Sequence, residues 1–189
     1  MDDSREPVMR PHPDKVAANG CISLIGMAAS GKTTLGRELG KLIGWGHIDT
    51  DHIIEAVYGA KLQQITDILG KEKFLDAEAK IIQSLVMRRM VISTGGSVIY
   101  RQEAVACIAG LGPLVYIDVP LPIILERIAR KPDRGLAINP GQSIEDLYNE
   151  RQELYRKAAH KRFTGSEAPA ADLALEVAEW LCSPGPLVQ

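Results

Sequence analysis

The sequence has few cysteines and no long apolar run. Its 189 residues include three cysteines, an odd number without CxxC spacing, too few for a disulfide framework or a cysteine-based metal site. No apolar run reaches the roughly 18 residues of a membrane-spanning helix. Residues 1–19 are acidic and proline-rich, whereas a signal peptide is basic and then apolar. We therefore expect a cytoplasmic protein with no membrane partner.

An excess of positive charge is also lacking. The 22 Lys and Arg are balanced by 24 Asp and Glu, which gives a formal net charge of -2. This balance offers no general electrostatic surface for nucleic acid, so any anion site must be local. With 46% hydrophobic and 24% charged residues, the composition is that of an ordinary globular protein.

The length suits one folded domain, which we expect to be monomeric. Residues 1–19 contain three prolines and no periodic apolar face, so they are predicted to form a flexible extension. The folded domain is predicted to cover 20–182, and the SPGPLVQ end at 183–189 is predicted to be a flexible tail. The segment KPDRGLAINPGQS is a candidate loop.

Short apolar runs alternate with segments of helical period inside the predicted domain. CISLIG, GHID, VISTGG and LVYIDV are typical of buried strands, and KTTLGRELGKLI, KFLDAEAKIIQSLVMRRM and PLPIILERIAR are typical of helices. Ser143 and Asp146 have the spacing of a capping box before another helix. This alternation predicts a three-layer α/β/α fold around a parallel sheet of about five strands.

A glycine-rich segment between the first strand and the first helix matches the phosphate-loop pattern GxxxxGK[ST]. The glycines allow backbone N–H groups to surround phosphate oxygens, and the following helix directs its positive end at them. The motif predicts ATP binding, with Lys32 on the β and γ phosphates and Thr33 on Mg²⁺. The predicted nucleotide-binding residues in this segment are Gly26, Ala29, Ser30, Gly31, Lys32, Thr33 and Thr34.

Two carboxylates, Asp49 and Asp51, follow the second predicted strand at the edge where open parallel sheets bind ligands. One can hold Mg²⁺ and the other can accept a proton from a substrate hydroxyl during phosphoryl transfer. The alternative is a helix N-cap pair for HIIEAV. The neighbouring His47 and His52 lack the further ligands of a metal site, so we assign them no role.

These residues resemble those of the shikimate kinase family of small P-loop kinases, from Ile22 to about Ala159. The resemblance rests on GMAASGKTTLGRELG, HIDTDHIIEAVYG, GKEKFLDAE, STGGS, the RGL of the candidate loop, and NERQELYRKAA. It implies a P-loop fold like that of nucleoside monophosphate kinases. It also implies ATP and Mg²⁺ as cofactors and a small hydroxylated acid as partner.

The resemblance also implies roles for individual residues. Lys32, Thr33 and Asp49 would handle phosphate and Mg²⁺, Asp51 would activate the acceptor hydroxyl, and Arg134 would close a lid over the transferred group. The remaining implied contacts are Arg127 with adenine, Ser93 with metal-bound water, and Gly95, Gly96 and Arg151 with the acceptor, where Arg151 is one of two arginines that grip its carboxylate.

Two positions depart from the family pattern. Leu75 stands where the second acceptor-binding arginine is expected, and Ser97 replaces a third glycine. Because that arginine would neutralise Glu78, we expect another cation to meet this glutamate. A hydroxy amino acid such as homoserine, with its ammonium group on Glu78, is therefore the favoured acceptor.

Two alternatives stay open. In the first, Arg88, Arg89 or Arg101 supplies the missing charge and shikimate is the acceptor. In the second, the chain is a nucleotide-binding regulatory module that has lost transfer chemistry. Asp49, Asp51 and Arg134 favour an enzyme, in which ATP-dependent transfer to a hydroxyl is carried out by Lys32, Asp51 and Arg134.

Overall fold

The computed structural model describes residues 8–130, 135–139 and 141–187. Five strands lie in these ranges: β1 Ile22–Ile25, β2 Gly46–Asp49, β3 Met90–Ser93, β4 Leu114–Asp118 and β5 Lys161–Thr164. The same ranges contain seven α-helices: α1 Lys32–Ile43, α2 Thr50–Tyr58, α3 Leu62–Gln83, α4 Gln102–Leu111, α5 Leu121–Ala129, α6 Ile144–Ala158 and α7 Ala170–Cys182. A 3₁₀ turn covers Val98–Tyr100.

All five strands are parallel and form one sheet in the order β2-β3-β1-β4-β5. Helices α1, α5 and α7 pack on one face of the sheet, where Leu24 and Leu39 belong to the largest apolar cluster. Helices α3 and α4 pack on the other face, around Ile25 and Tyr116, and α6 contributes Leu147 to the first cluster and Tyr155 to the second. The predicted three-layer fold with five parallel strands is confirmed.

Helix α1 carries the phosphate loop at its amino end. Gly31 precedes the helix with φ 93°, and Leu35, Leu39 and Ile43 bury one face against the sheet. Gly44 ends the helix in the left-handed region, and its N–H group donates to the carbonyl of Gly40. Helix α1 covers the bounds predicted from its apolar period.

Helix α3 differs from the prediction at both ends. It begins at Leu62, is broken at Gly70 where φ is 72°, and ends at Gln83, whereas the sequence predicted a helix over residues 73–90. The Ser84 hydroxyl donates to the Ile81 carbonyl at 2.7 Å and so competes with helix continuation. The segment up to Arg89 is non-helical, and Met90 begins β3.

Strand β5 was missed by the sequence analysis. Its residues KRFT are mostly exposed, so they lack the apolar run by which the other strands were recognised. Pairing with β4 places Phe163 beside Ile117 and gives the segment its extended conformation.

The terminal segments pack against the domain, which differs from the predicted flexible extension and tail. The Met9 N–H group donates to Leu42 at 2.9 Å, and Val16 is buried in the core. Gly185 donates to Asp14 at 3.1 Å. Such isolated contacts have no sequence period, which is why composition alone suggested flexibility. Residues 1–7 and 188–189 lie outside the described part of the chain.

Lys15 joins the two terminal segments. This lysine is buried, and its Nζ donates to the Ser183 carbonyl at 3.0 Å and lies 5.4 Å from the centre of the Trp180 ring.

None of the helices within the described ranges is both long enough and apolar enough to cross a bilayer.

Replacing Lys15 with Ala should lower the free energy of unfolding by about 1 to 3 kcal/mol, because the hydrogen bonds of the ammonium group are lost and the Ser183 carbonyl is left without this donor. Lys41→Ala, at an exposed ion pair with Glu38, should change it by no more than about 0.5 kcal/mol. Urea denaturation of both variants measures the difference. Equal midpoints for the two variants would contradict the assigned contact.

Candidate active site

The phosphate loop runs from Gly26 to Gly31, between β1 and α1. At Gly26, φ is 144° and a Cβ atom would lie 2.7 Å from the Ile117 carbonyl oxygen, so a side chain does not fit. Ala29 adopts φ 64°, in the left-handed region that non-glycine residues seldom occupy. The loop is thereby curled ahead of the helix, as the binding of phosphate by backbone N–H groups requires.

Lys32 is folded back over this loop. Its Nζ donates to the carbonyl oxygens of Gly26 at 2.8 Å and Met27 at 2.7 Å, and to Ser30 Oγ at 3.2 Å. The residue is buried, so its charge lies in a partly desolvated position beside the loop. The predicted contact with the β and γ phosphates is compatible with this placement.

Thr33 and Asp49 lie in direct contact. The Thr33 hydroxyl donates to Asp49 Oδ2 at 2.5 Å, and Asp49 Oδ1 accepts from the Asp51 N–H group at 3.0 Å. Asp49 therefore caps α2, as the alternative interpretation expected. It also contacts Thr33, the other residue predicted to hold Mg²⁺. One hydroxyl and one carboxylate fit Mg²⁺, which commonly binds few protein ligands beside phosphate and water.

The metal prediction depends on this pair, because no group of three or more His, Cys, Asp or Glu suited to a metal occurs within residues 8–130, 135–139 and 141–187. Ser93 lies beside the pair at the end of β3, where its hydroxyl donates to the Lys32 carbonyl at 2.9 Å. His47 Nε2 lies 2.9 Å from the same hydroxyl, a contact that the sequence analysis missed. Burial lowers the pKa of His47.

Two cavities meet at the phosphate loop. The first, of about 420 Å³, is lined by Arg127, Thr34 and Pro169, and Arg127 donates to the Ser166 carbonyl at 2.8 Å. The second, of about 430 Å³, is lined by seven other predicted site residues, whereas Gly26 and Glu78 line neither cavity. These seven residues are Lys32, Thr33, Asp49, Asp51, Gly95, Gly96 and Arg151. We refer to the first cavity as the nucleotide cavity and to the second as the acceptor cavity. Both volumes are suited to small molecules.

The glycine turn after β3 forms the floor of the acceptor cavity. A Cβ atom on Gly95 would overlap Glu78 Oε1 and Asp51 Oδ1, and one on Gly96 would lie 3.0 Å from Arg151 Nη1. The Gly95 N–H group donates to the Thr50 hydroxyl at 3.1 Å. A side chain at either position would therefore crowd the ionisable groups of Glu78, Asp51 and Arg151.

Arg151 is almost fully buried in helix α6. Its Nη2 donates to the Ala137 carbonyl at 2.9 Å, its Nε donates to the Tyr100 hydroxyl at 3.2 Å, and its guanidinium lies 5.1 Å from the Tyr100 ring centre. These contacts fix the guanidinium in one orientation toward the cavity. Arg134, the predicted lid arginine, lies outside the described residues.

Glu78 is buried to 1% exposure beside Asp51. The Ser97 hydroxyl donates to its Oε2 at 2.7 Å, and its Oε1 has no hydrogen-bond partner among the described residues. Burial, with a smaller effect from the negative charge of Asp51, raises the pKa of Glu78 to about 8. At neutral pH the carboxyl group is therefore mainly protonated, which removes the need for a cation that the sequence analysis inferred.

Leu75 packs away from the acceptor cavity. Its side chain is buried at 2% exposure in an apolar cluster with Ile54, Ile65 and Phe74, and of these residues Phe74 lines the cavity. A residue at position 75 is thus part of the packing between α2 and α3. Whether this leucine replaces a family arginine stays an inference from the resemblance.

The arginines considered as replacements lie elsewhere. Arg101 pairs with Glu72 at 2.8 Å and Asp76 at 2.9 Å on the surface. Arg89 lies before β3, at the opposite end of the strand from the glycine turn, where its guanidinium is 6.0 Å from the Trp45 ring centre. Arg88 is exposed in the same segment. The structure therefore gives no support to a rescue by these three residues.

The acceptor cavity has three further ionisable lining residues that the sequence analysis did not assign to it: His52, Glu55 and Lys61. Lys61 immediately precedes α3, and its Nζ lies 3.7 Å from Glu55 Oε2. His52 and Glu55 belong to the HIDTDHIIEAVYG segment that follows the second strand, whereas Lys61 lies outside every motif and had no sequence signal.

Comparison with known proteins gives a consistent result. The family model for shikimate kinase matches residues 28–182. The shikimate kinase of Aromatoleum aromaticum is 38% identical over 141 residues, which cover 73% of this chain and 81% of that protein. The Acinetobacter baylyi shikimate kinase is 34% identical over 167 residues, with 87% and 93% covered.

Solved structures show the same likeness. The shikimate kinase of Acinetobacter baumannii in complex with shikimate has a TM-score of 0.79 and 31% identity, covering 89% of this chain and 94% of that chain. The Aquifex aeolicus shikimate kinase has a TM-score of 0.70 and 29% identity, with 85% and 95% covered.

Replacing Glu78 with Gln should make the protein more stable than wild type, by a difference in Tm that increases as pH rises. The folded state keeps the proton up to pH about 8, whereas the unfolded glutamate loses it near its ordinary value of 4.5. Wild-type stability should therefore fall between these pH values and then level off, and the variant should escape this loss. Thermal unfolding at pH 5 and pH 9 measures the change in Tm.

Glu167→Gln, at an exposed loop position, is the control and should show the wild-type pH dependence. A Tm difference between Glu78→Gln and wild type that is the same at pH 5 and pH 9 would contradict the raised pKa.

Proposed function

This chain belongs to the shikimate kinase family, and we propose that it transfers the γ-phosphoryl group of ATP to a hydroxyl group of shikimate. As a member of this family, the chain is an ATP-dependent small-molecule kinase with a hydroxyl acceptor. The observation that carries the proposal is one cavity lined by Lys32, Asp51 and the buried Arg151. A phosphate-binding lysine, a carboxylate for the acceptor hydroxyl and a cation for the acceptor carboxylate thus share one space.

Binding of ATP would use the loop and both cavities. The curled loop and the amino end of α1 would hold the phosphates, with Lys32 near the transferred group. Arg127, in the nucleotide cavity, would contact the base. Thr33 and Asp49 would hold Mg²⁺, which supplies positive charge to the phosphates when bound.

Asp51 would act on the acceptor hydroxyl. It lines the acceptor cavity, and its Oδ1 faces Gly95 beside Glu78. A carboxylate in this position can orient the attacking oxygen and accept its proton as the phosphoryl group is transferred. Arg134 would stabilise charge on the transferred group, as the resemblance implies.

The acceptor is better explained as shikimate than as homoserine. The named relatives are shikimate kinases, and they give no support to homoserine. The raised pKa of Glu78 also weakens the reason for expecting a substrate ammonium group, because a neutral carboxyl needs no opposite charge. The predicted preference for a hydroxy amino acid is therefore replaced by the alternative in the sequence analysis.

We further propose that the enzyme is monomeric and cytoplasmic. The support is its single domain of ordinary composition and its three free cysteines, Cys21, Cys107 and Cys182.

An ADP-release assay with shikimate, homoserine and other small hydroxy acids tests the acceptor. Shikimate should give the highest kcat/KM, because Arg151 matches its carboxylate and Glu78 carries no net charge at neutral pH. A higher kcat/KM for homoserine would overturn the proposed acceptor, and turnover with no acceptor in the panel would overturn the proposed function.

Asp51→Asn should lower kcat by about 100-fold to 10,000-fold, since the amide orients the hydroxyl but cannot take its proton. Binding of a fluorescent ATP analogue should be unchanged. Asp67→Asn, at an exposed position of α3, is the matched control and should retain wild-type kcat. Full activity of Asp51→Asn would exclude its proposed role.

A further inference from the structure

The proposed acceptor has a carboxylate, and the described part of the acceptor cavity offers few cations to bind it. Its cationic lining residues within that part are Lys32, Lys61 and Arg151. Lys32 is held by the phosphate loop through the Gly26 and Met27 carbonyls. Arg151 and Lys61 are therefore the two described cations left for the carboxylate.

The chain segment at 135–137, which also lines the cavity, contacts both the start of α3 and Arg151. Gly135 lies against the start of α3, since a Cβ atom there would be 2.9 Å from the Gln63 nitrogen. At the other end of the segment, Ala137 accepts the hydrogen bond from Arg151 Nη2 at 2.9 Å. Two residues of extended chain span at most about 7 Å. The start of α3, where Lys61 lies, and Arg151 therefore border the same short stretch of the cavity wall.

The side chain of Lys61 is held loosely. It is 78% exposed, and its Nζ lies 3.7 Å from Glu55 Oε2, a weak surface contact. Glu55 is in turn fixed, because its Oε1 accepts from the Leu62 N–H group at 3.0 Å. A flexible lysine at the cavity edge can therefore move from Glu55 to an incoming carboxylate without disturbing the fold.

Other basic residues near this wall are occupied or lie outside the lining. Lys71 lies 4.9 Å from the Tyr100 ring centre, and Arg101 pairs with Glu72 and Asp76. Position 75 is filled by a leucine that packs between α2 and α3. The resemblance implies a cation at position 75, but the residue there has no basic side chain.

From this arrangement we infer that Lys61 binds the acceptor carboxylate together with Arg151, as a specificity-determining residue that supplies the second positive charge from the start of α3. This inference rests on the proposed function and deepens it. It moves the second contact from the middle of α3 to its amino end, so the carboxylate is bound between α3 and α6.

The test compares wild type with Lys61→Gln, Lys61→Arg and the control Lys73→Gln, which alters an exposed lysine of α3 outside the cavity lining. Steady-state kinetics are measured with shikimate and with the analogue whose carboxylate is a primary carboxamide. The analogue separates a direct contact with the carboxylate from a general effect on the cavity.

Lys61→Gln should raise KM for shikimate about tenfold or more, while kcat and KM for ATP stay within about twofold of wild type. Its KM for the carboxamide should equal that of wild type, because the missing charge has no partner there. Lys61→Arg should stay within about threefold for shikimate, and Lys73→Gln should match wild type.

An unchanged KM for shikimate in Lys61→Gln, or an equal increase for acid and amide, would overturn the role of Lys61 while leaving the proposed function intact. Wild type that turns over neither compound would overturn the proposed acceptor and this inference together. If wild type turns over homoserine instead, the same comparison between homoserine and its carboxamide decides the role of Lys61.

Discussion

The site depends on the convergence of three parallel strand ends at the amino end of α1. The phosphate loop follows β1, Ser93 ends β3, and Asp49 ends β2. Ser93 donates to the Lys32 carbonyl and Asp49 accepts from the Thr33 hydroxyl, so the first turn of α1 is tied to both neighbouring strands. Parallel strands put all their carboxyl ends at one edge, and this constraint places the acidic and phosphate-binding groups together.

The buried carboxyl group of Glu78 has an uncharged hydrogen-bond partner, Ser97. The sequence shows a leucine at position 75 and a serine at position 97, and the structure relates the serine to the glutamate through a 2.7 Å hydrogen bond. Ser97 thus provides a neutral partner for a glutamate whose raised pKa makes it neutral itself. The acceptor cavity can keep its shape without a buried ion pair, which would need full compensation for desolvation.

Elements with strong local signals were predictable. The phosphate loop, α1 and the Ser143 capping box are encoded by short-range patterns, and the structure has them where they were predicted. Strand β5 was not predictable, because its neighbour β4 rather than its own composition makes it extended. The break of α3 at Gly70 and the burial of Lys15 also depend on distant packing partners. Lys61 was missed because its place in the cavity depends on the segment at 135–137.

The contact between the two terminal segments has a practical consequence for fusing or immobilising the enzyme. Met9 lies at the carboxyl end of α1, and the 12 residues of that helix separate this end from the phosphate loop by about 18 Å. Asp14 and Gly185 bring both segments to the same region. A fusion partner, affinity tag or solid support joined to either segment would therefore lie at the end of α1 opposite the phosphate loop.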